Sequence, residues 1–293
     1  MVSLPGSLVD VEGTGVFVHR RGTGPAVVLV HGFLMSHWYF RGIVPALAAQ
    51  YDVIALDLPG FGESDRPPPE RFPYGFDAFA RTVLGLLDRL GVRRAALLGH
   101  SMGGAVALAV AARAPERVSA LVLEDASAYP PPVPLLAHVA LLPVLGEFLF
   151  QHGYTRGQLA LGLKRFAYGV DHPMVAEMVD YWWERLCRPG GKAAAYAMMR
   201  VLTRSEPLVT EVGRLTVPVP ALVVWGETDC LQPLLNGRRL ARELEAPLRV
   251  VPCTGHTPHE ERPAAFLQII SPFLSQVLAE QRGGRPESCR SAS

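Results

Sequence analysis

One serine stands in a sequence context typical of a nucleophile. Gly99-His-Ser-Met-Gly103 has the pattern G-x-S-x-G, with an apolar run before it and an alanine- and valine-rich segment after it. A serine on a sharp turn from a strand into a helix needs glycines two positions away on either side, because larger side chains would collide with neighbouring backbone. The turn exposes the hydroxyl and brings the first amides of the next helix beside it. The pattern therefore predicts Ser101 as a nucleophile.

A base and an acid for this serine follow it in the chain. A serine hydroxyl reacts well only when a base takes its proton and a third group orients that base. Asp229 and His256 each come directly after an apolar run typical of a strand. Because carboxyl ends of parallel strands share one sheet edge, these side chains and Ser101 can meet there. Asp125, which follows another such run, is an alternative to Asp229 as the acid.

Two backbone amides are candidates for stabilising the negative oxygen that forms when a serine attacks a carbonyl. Phe33 lies in the loop after the apolar run that ends at Val30, and Met102 follows the serine directly. Two N–H groups that converge on one oxygen are the arrangement this chemistry needs. We therefore expect Phe33 and Met102 to form an oxyanion hole.

The elements that must position these residues alternate along the chain. Short runs that are apolar on both faces are followed by segments of helical length, which indicates an α/β fold with a parallel sheet and right-handed crossovers. Strands are predicted at 16–20, 26–30, 53–56, 95–98, 120–123, 221–224 and 248–251, and helices at 38–49, 76–90, 102–112, 233–244 and 263–280.

The alternation is interrupted once, by a long stretch without a convincing strand. Residues 126–214 open with a proline-rich segment and continue as several helix-like segments, so we expect a helical insertion with packing of its own. The predicted domains are a core of 1–125 and 215–280, a helical cap of 126–214, and a disordered polar tail of 281–293. We expect two or three of the insertion's aromatic residues to line a pocket and the others to pack inside it; they are Phe148, Phe150, Phe166, Tyr168, Tyr181, Trp182 and Trp183.

Composition bears on partners and compartment. The chain has 293 residues, of which 49% are hydrophobic, and 28 basic and 27 acidic side chains give a formal net charge of +1. This balance argues against nucleic acid or an anionic membrane surface as a partner. Four cysteines without paired spacing predict thiols in a reducing compartment; they are Cys187, Cys230, Cys253 and Cys289.

The sequence also bears on membrane insertion and localisation. The first residues lack a basic start followed by an apolar run, so no signal peptide is expected. Residues 133–150 are the most apolar stretch, but His138, Pro143, Gly146 and Glu147 interrupt it, which favours a soluble amphipathic segment over a membrane span. We expect a cytoplasmic monomer or homodimer without stable membrane insertion.

Several other polar residues have structural interpretations. His31 and His100 flank the predicted reactive backbone and are expected to shape their loops, and Asp65 is expected to belong to a structural turn. A metal site is conceivable where four side chains crowd together, but Pro258 prevents the regular helical face that would aim two imidazoles at one ion. No metal or cofactor is predicted. The four crowded side chains are His256, His259, Glu260 and Glu261.

Five motifs together resemble the α/β-hydrolase superfamily. They are VLVHGF (28–33), DLPGFGESD (57–65), GHSMGG (99–104), WGETD (225–229) and GHTPHEERP (255–263). The resemblance implies a mostly parallel eight-stranded sheet with helices on both faces and a helical cap that closes over the active site. It also implies a triad of Ser101, Asp229 and His256, with Phe33 and Met102 as oxyanion-hole amides.

The leading functional hypothesis is hydrolysis of a small to medium hydrophobic carboxylic ester through an acyl-enzyme on Ser101. The runner-up is hydrolysis of a carbon–carbon bond in a vinylogous diketone. Family members with that activity usually carry Asn before the nucleophile and an aromatic residue straight after the catalytic histidine, whereas this chain has His100 and Thr257, which argues against it. Perhydrolase or cofactor-free oxygenase activity, an interfacial lipase with 133–150 as its lid, and a ligand receptor with incidental hydrolysis remain alternatives. Dehalogenases and epoxide hydrolases of this fold need an aspartate nucleophile, and Ser101 argues against both.

Overall fold

The computed structural model describes residues 4–129, 142–167, 175–203 and 219–283. Eight strands form one sheet in the order β1-β2-β4-β3-β5-β6-β7-β8. β1, β2 and β4 pair antiparallel, and all pairs from β4 through β8 are parallel. The strands are β1 Ser7–Val11, β2 Thr14–Arg21, β3 Ala26–Val30, β4 Asp52–Leu56, β5 Ala95–His100, β6 Val118–Glu124, β7 Ala221–Gly226 and β8 Leu248–Val251.

Helices cover both faces of this sheet. A 3-10 helix at His37–Gly42 precedes α1, and the insertion contributes α4 to α7. The helices are α1 Val44–Leu47, α2 Phe76–Arg89, α3 Met102–Arg113, α4 Pro143–Gly153, α5 Arg156–Gly162, α6 Val175–Leu186, α7 Gly191–Leu202, α8 Leu234–Glu243, α9 Pro258–Glu261 and α10 Pro263–Gly283.

The central strands are buried on both faces because two separate helical layers cover them. In β3, Val28 and Val30 belong to the apolar cluster under α2, α3 and α8, whereas Val27 and Leu29 belong to the cluster under α1 and α10. Successive side chains of a strand point to opposite faces, so a strand between two helical layers is apolar throughout. The predicted mostly parallel, eight-stranded α/β sheet with helices on both faces is confirmed.

Two details differ from the sequence prediction. β1 was not predicted, because most of its side chains are exposed at the sheet edge and it has no continuous apolar run. The predicted single helix at 38–49 is divided into the 3-10 helix and α1. Pro45, in the first turn of α1, has no N–H to continue a helix from the residues before it.

The described parts of the insertion, residues 126–214, contain helices and no strand. Residues 130–141, 168–174 and 204–214 of the insertion, and 284–293 of the predicted tail, lie outside the described residues. The structure therefore leaves the domain boundaries as a prediction. Part of the predicted 133–150 segment is α4, and α10 extends through Gly283. Among the described helices, none combines the length and apolar character needed to cross a membrane.

The insertion packs on the core through an apolar cluster to which residues of both contribute. Trp38 from the core stacks on Tyr181 of α6 with ring centroids 4.5 Å apart. Arg41 and Arg185 cover the outer faces of these two rings, at 3.7 and 3.4 Å from the ring centroids. The cluster of buried residues comprises Met35, Trp38, Tyr39, Leu159, Leu163, Met178, Val179, Tyr181 and Trp182.

The described aromatic residues of the insertion include both buried and exposed side chains. Which of them line a pocket stays a prediction. Tyr181 and Trp182 are buried in this cluster, and Trp183 packs against it. Phe150 stacks on Tyr154, and Phe148 is 60% exposed. The side chains of Phe166 and Tyr168 lie outside the described residues.

An ion-paired contact joins the insertion to the core beside this stack. The carboxylate of Glu63, in the loop after β4, accepts from Arg185 at 2.5 Å and from Arg188 at 2.6 Å. Burial disfavours the charge on Glu63, but the two arginines outweigh this effect and hold its pKa below the ordinary value. Glu63 is therefore ionised and holds the C-terminal end of α6 against the core through two ion pairs.

Candidate active site

Ser101 lies on a strained turn between β5 and α3. Its φ of 53° is in a region that side-chain-bearing residues rarely adopt, at a cost of about 1–3 kcal/mol. A Cβ on Gly103 would lie 2.0 Å from the carbonyl oxygen of Val30, and one on Gly99 would lie 2.3 Å from that of Gly103. Both predicted glycines are therefore required by close backbone approach.

Ser101, His256 and Asp229 form one hydrogen-bonded chain. Nδ1 of His256 donates to Oδ2 of Asp229 at 2.7 Å, and Nε2 lies 2.8 Å from Oγ of Ser101. Because Nδ1 carries the proton, Nε2 is the acceptor for the serine hydroxyl. The three residues are 6%, 1% and 6% exposed, so little of the triad is open to solvent. The structure thus brings the three predicted residues together in the arrangement of a catalytic triad.

Asp229 is held as an anion by several donors. Its Oδ1 accepts from the backbone N–H groups of Leu231 and Gln232 at 2.8 and 2.9 Å. Burial opposes ionisation, but the charge and hydrogen bond of His256 and the backbone donors outweigh it, and the pKa of Asp229 is lowered. An ionised Asp229 can orient His256 and stabilise its imidazolium form.

The predicted oxyanion amides belong to segments that pack against the serine turn. Met102 is the first residue of α3, and Phe33 follows Gly32, whose added Cβ would lie 3.2 Å from Cβ of Ser101. Among the described residues, no protein acceptor takes the N–H of Phe33 or Met102. The loop and the start of α3 are therefore adjacent to Ser101, as an oxyanion hole requires.

His31 and His100 hold backbone segments of the site in place. Nδ1 of His31 donates to the carbonyl of Gly32 at 2.8 Å, while Nε2 accepts from the N–H of Leu58 at 2.9 Å. Nε2 of His100 donates to the carbonyl of His256 at 2.7 Å. Burial, joined for His100 by the proximity of other histidines, lowers the pKa of both imidazoles, which keeps them neutral. These bonds fit the predicted loop-shaping roles.

Asp125, the alternative acid, is fully buried beside Asp229 but does not hydrogen-bond to His256. One of its oxygens accepts from the N–H of Gly226 at 3.0 Å. Within the described residues, one group of potential metal ligands lies close enough together to hold a cation. It consists of an oxygen of Asp125, an oxygen of Asp229 and a ring nitrogen of His256, all within 4.8 Å of one another. In the geometry present, however, Nδ1 of His256 is used by Asp229.

The other charged residues considered in the sequence have structural partners. Asp65 is exposed and accepts from the N–H of Gly15, at the start of β2. His259 pairs with buried Glu124, Glu260 with Arg41, and Glu261 accepts from the N–H of Gly255. These contacts occupy the side chains that crowd around His256.

Sequence reasoning missed Ser127, which lies close to Ser101. Its Oγ is 3.3 Å from Oγ of Ser101, and its N–H donates to the carbonyl of Ser101 at 2.9 Å. Ser127 lies just beyond the end of β6, at the same sheet edge as Ser101, and that position was the only signal that could have indicated it. It supplies a second, partly exposed hydroxyl at the reactive centre.

Known proteins share this architecture over most of the chain. Residues 25–263 match the family described as the alpha/beta hydrolase fold. The uncharacterized hydrolase YugF of Bacillus subtilis is 33% identical over 273 residues, which cover 90% of this chain and 96% of the relative. The structure of the meta-cleavage product hydrolase CumD from Pseudomonas fluorescens has a TM-score of 0.76 and 27% identity, covering 93% of this chain and 97% of that one. The structure of a thermophilic esterase from Thermogutta terrifontis has a TM-score of 0.74 and 27% identity, covering 94% of this chain and 99% of that one. With the strained serine turn, the sheet order and these matches in agreement, the chain belongs to the α/β-hydrolase family.

Proposed function

We propose that this hydrolase cleaves a small to medium hydrophobic carboxylic ester through an acyl-enzyme on Ser101. The observation that carries the proposal is the continuous chain from Asp229 through His256 to Ser101, with hydrogen bonds of 2.7 and 2.8 Å. These contacts are short enough for proton transfer without rearrangement of the side chains.

In the proposed reaction, Oγ of Ser101 attacks the ester carbonyl while Nε2 of His256 takes its proton. The N–H groups of Phe33 and Met102 donate to the oxyanion of the tetrahedral intermediate. His256 then gives the proton to the departing alcohol, which leaves an acyl group on Ser101. Water attacks this acyl group with His256 again as the base, and His256 returns the proton to Oγ of Ser101 as the acid is released.

The surroundings of the serine support an apolar substrate. Phe33 and Leu34 are half-buried next to the serine turn, and Phe33 packs edge-on against Phe61 with ring centroids 6.0 Å apart. The formal net charge of the chain is only +1. Apolar walls with few polar groups are typical of sites for hydrophobic small molecules.

Carbon–carbon bond hydrolysis is the second candidate, because the similar CumD structure is named as a meta-cleavage product hydrolase. The two positions at which the sequence departs from that activity are occupied by residues with structural bonds. His100 is fully buried and donates to the His256 carbonyl, and buried Thr257 donates to Glu261 at 3.1 Å. Both side chains are thus engaged within the protein, and neither supplies the Asn or the aromatic ring that is usual for diketone cleavage, which supports the ester over the diketone.

Steady-state assays with p-nitrophenyl esters of increasing acyl length test the proposal. We expect turnover of short esters by the wild-type protein and a loss of kcat of at least about four orders of magnitude in Ser101→Ala. Hydrolysis of a vinylogous diketone without hydrolysis of any ester would instead support the second candidate. A single burst of p-nitrophenol without turnover would indicate a ligand receptor with incidental acylation.

A further inference from the structure

A second buried carboxyl group lies against the acid of the triad. Asp125 follows β6, has a φ of 43° and is 0% exposed. An oxygen of Asp125, an oxygen of Asp229 and a ring nitrogen of His256 all lie within 4.8 Å of one another. The ester-hydrolysis scheme above assigns no role to this group.

The hydrogen bonds of the two carboxyl groups are unequal. Asp229 accepts from three donors: the backbone N–H groups of Leu231 and Gln232 at Oδ1, and Nδ1 of His256 at Oδ2. Asp125 accepts at Oδ1 from one donor, the N–H of Gly226. Among the described residues, no N–H or hydroxyl group reaches buried Oδ2 of Asp125. The carboxylate of Asp229 lies beside Asp125, and as an anion it can only accept a hydrogen bond.

Two ionised carboxylates in contact at a buried site would repel each other strongly, so the pair is expected to hold one proton. Three donors favour the anion on Asp229, and a single donor leaves the proton on Asp125. Burial and the adjacent charge of Asp229 raise the pKa of Asp125 well above its ordinary value, with a smaller effect from Glu124. The titratable groups that face Asp125 are Asp229, His256 and Glu124. The carboxylate of Glu124 is also paired with His259.

We propose that Asp125 is a positioning residue that remains protonated at neutral pH and donates a hydrogen bond from Oδ2 to the Asp229 carboxylate. This bond fixes the orientation of Asp229 towards His256 and disperses its negative charge. The inference rests on the proposed triad function, because its consequence for reactivity passes through His256 to Ser101.

Two substitutions separate a protonated Asp125 from an ionised one. Asp125→Asn has the shape of the protonated acid and keeps a donor towards Asp229, whereas Asp125→Leu removes the donor. The readout is the rate at which a fluorophosphonate labels Ser101, measured across pH, because this rate reports activation of the serine without a known substrate.

We expect Asp125→Asn to label within about threefold of the wild-type rate and with the same acid limb. Asp125→Leu should label roughly tenfold or more slowly, with its acid limb moved to higher pH, because undispersed charge on Asp229 favours protonation of His256. An acid limb moved to lower pH in Asp125→Asn would overturn the proposal, since it would mean that the substitution removed a negative charge. Wild-type reactivity in Asp125→Leu would overturn it as well.

Unfolding measurements test the bound proton independently of reactivity. An aspartate is ionised in the unfolded chain above about pH 4, so the folded wild-type protein must take up a proton that Asp125→Asn does not need. Relative to Asp125→Asn, the unfolding equilibrium constant of the wild type should therefore rise about tenfold per pH unit above that pH. A ratio that does not change with pH would overturn the proposal.

The experiments also distinguish this inference from its foundation. If the wild-type protein does not label at all, the proposed function fails while the unfolding ratio still decides the protonation of Asp125.

A bound cation could neutralise the same carboxylates. Loss of labelling after EDTA treatment, with a metal found in the untreated protein, would replace the proton by a cation and overturn the proposal.

Discussion

The proposed reactivity of Ser101 needs His256 to be held in place by its backbone as well as by the side chain of Asp229. His100 donates to the carbonyl of His256 at 2.7 Å from a fully buried position. The residue before the proposed nucleophile therefore ties the serine turn to the loop that carries the proposed base. This bond joins two segments that are 156 positions apart in the chain.

Replacement of His100 tests this tie. His100→Ala leaves the buried His256 carbonyl without its donor, and we expect kcat/KM to fall by about ten- to a hundredfold. His100→Gln retains an N–H donor of similar reach and should remain within about tenfold of the wild type. Ester hydrolysis and thermal unfolding of both variants provide the comparison. Equal losses in the two variants would mean that packing, rather than the hydrogen bond, is what His100 supplies.

At the scale of elements, α6 connects the insertion to the core through Glu63. Glu63→Gln weakens the pairing with Arg185 and Arg188, so we expect a looser insertion and a KM raised about three- to tenfold with little change in kcat, as for a loss of about 1 kcal/mol of binding. Glu184→Gln is the matched control, because Glu184 is 67% exposed and also pairs with these arginines. The control should leave KM unchanged. A change in kcat alone in Glu63→Gln would contradict a role in substrate access.

The sequence predicted those elements whose local pattern is decided by burial. The central strands are apolar on both faces, and a Cβ added to either glycine of the serine turn would lie only 2.0 to 2.3 Å from backbone, so both features leave a clear pattern in the sequence. β1 leaves little pattern in the sequence, because an exposed edge strand tolerates polar residues. Ser127 and the state of Asp125 depend on contacts with residues distant in sequence. Spacing could place Asp125 at the correct edge, but it could not show that a single backbone donor serves that carboxyl group.

At the scale of the whole molecule, charges buried in the core tie its stability to pH. The fully buried carboxylate of Asp57 accepts from Nδ1 of His37 at 2.9 Å and from the N–H of Glu63 at 2.7 Å. Burial opposes this charge, but the interactions with His37 outweigh it, and the pKa of Asp57 is lowered. A carboxylate with a lowered pKa stabilises the fold above its unfolded pKa and loses that contribution as pH falls.

Denaturant unfolding of Asp57→Asn tests this contribution. The wild-type protein should be more stable than the variant by about 1.5–3 kcal/mol at neutral pH, because the substitution removes a buried carboxylate whose charge strengthens the hydrogen bonds from His37 and Glu63. The difference should shrink as pH falls below about 4, where Asp57 in the unfolded chain becomes protonated. A difference that stays constant with pH would mean that the charge of Asp57 does not stabilise the fold.

Ser101 is expected to form the covalent intermediate, and intact-protein mass spectrometry tests this directly. Brief reaction with p-nitrophenyl acetate or a fluorophosphonate, followed by acid quenching and peptide mapping, locates any adduct. We expect one acyl or phosphonyl group per chain on the peptide that contains Ser101, and none on Ser101→Ala. An adduct on another residue, or ester turnover that survives in Ser101→Ala, would contradict the account.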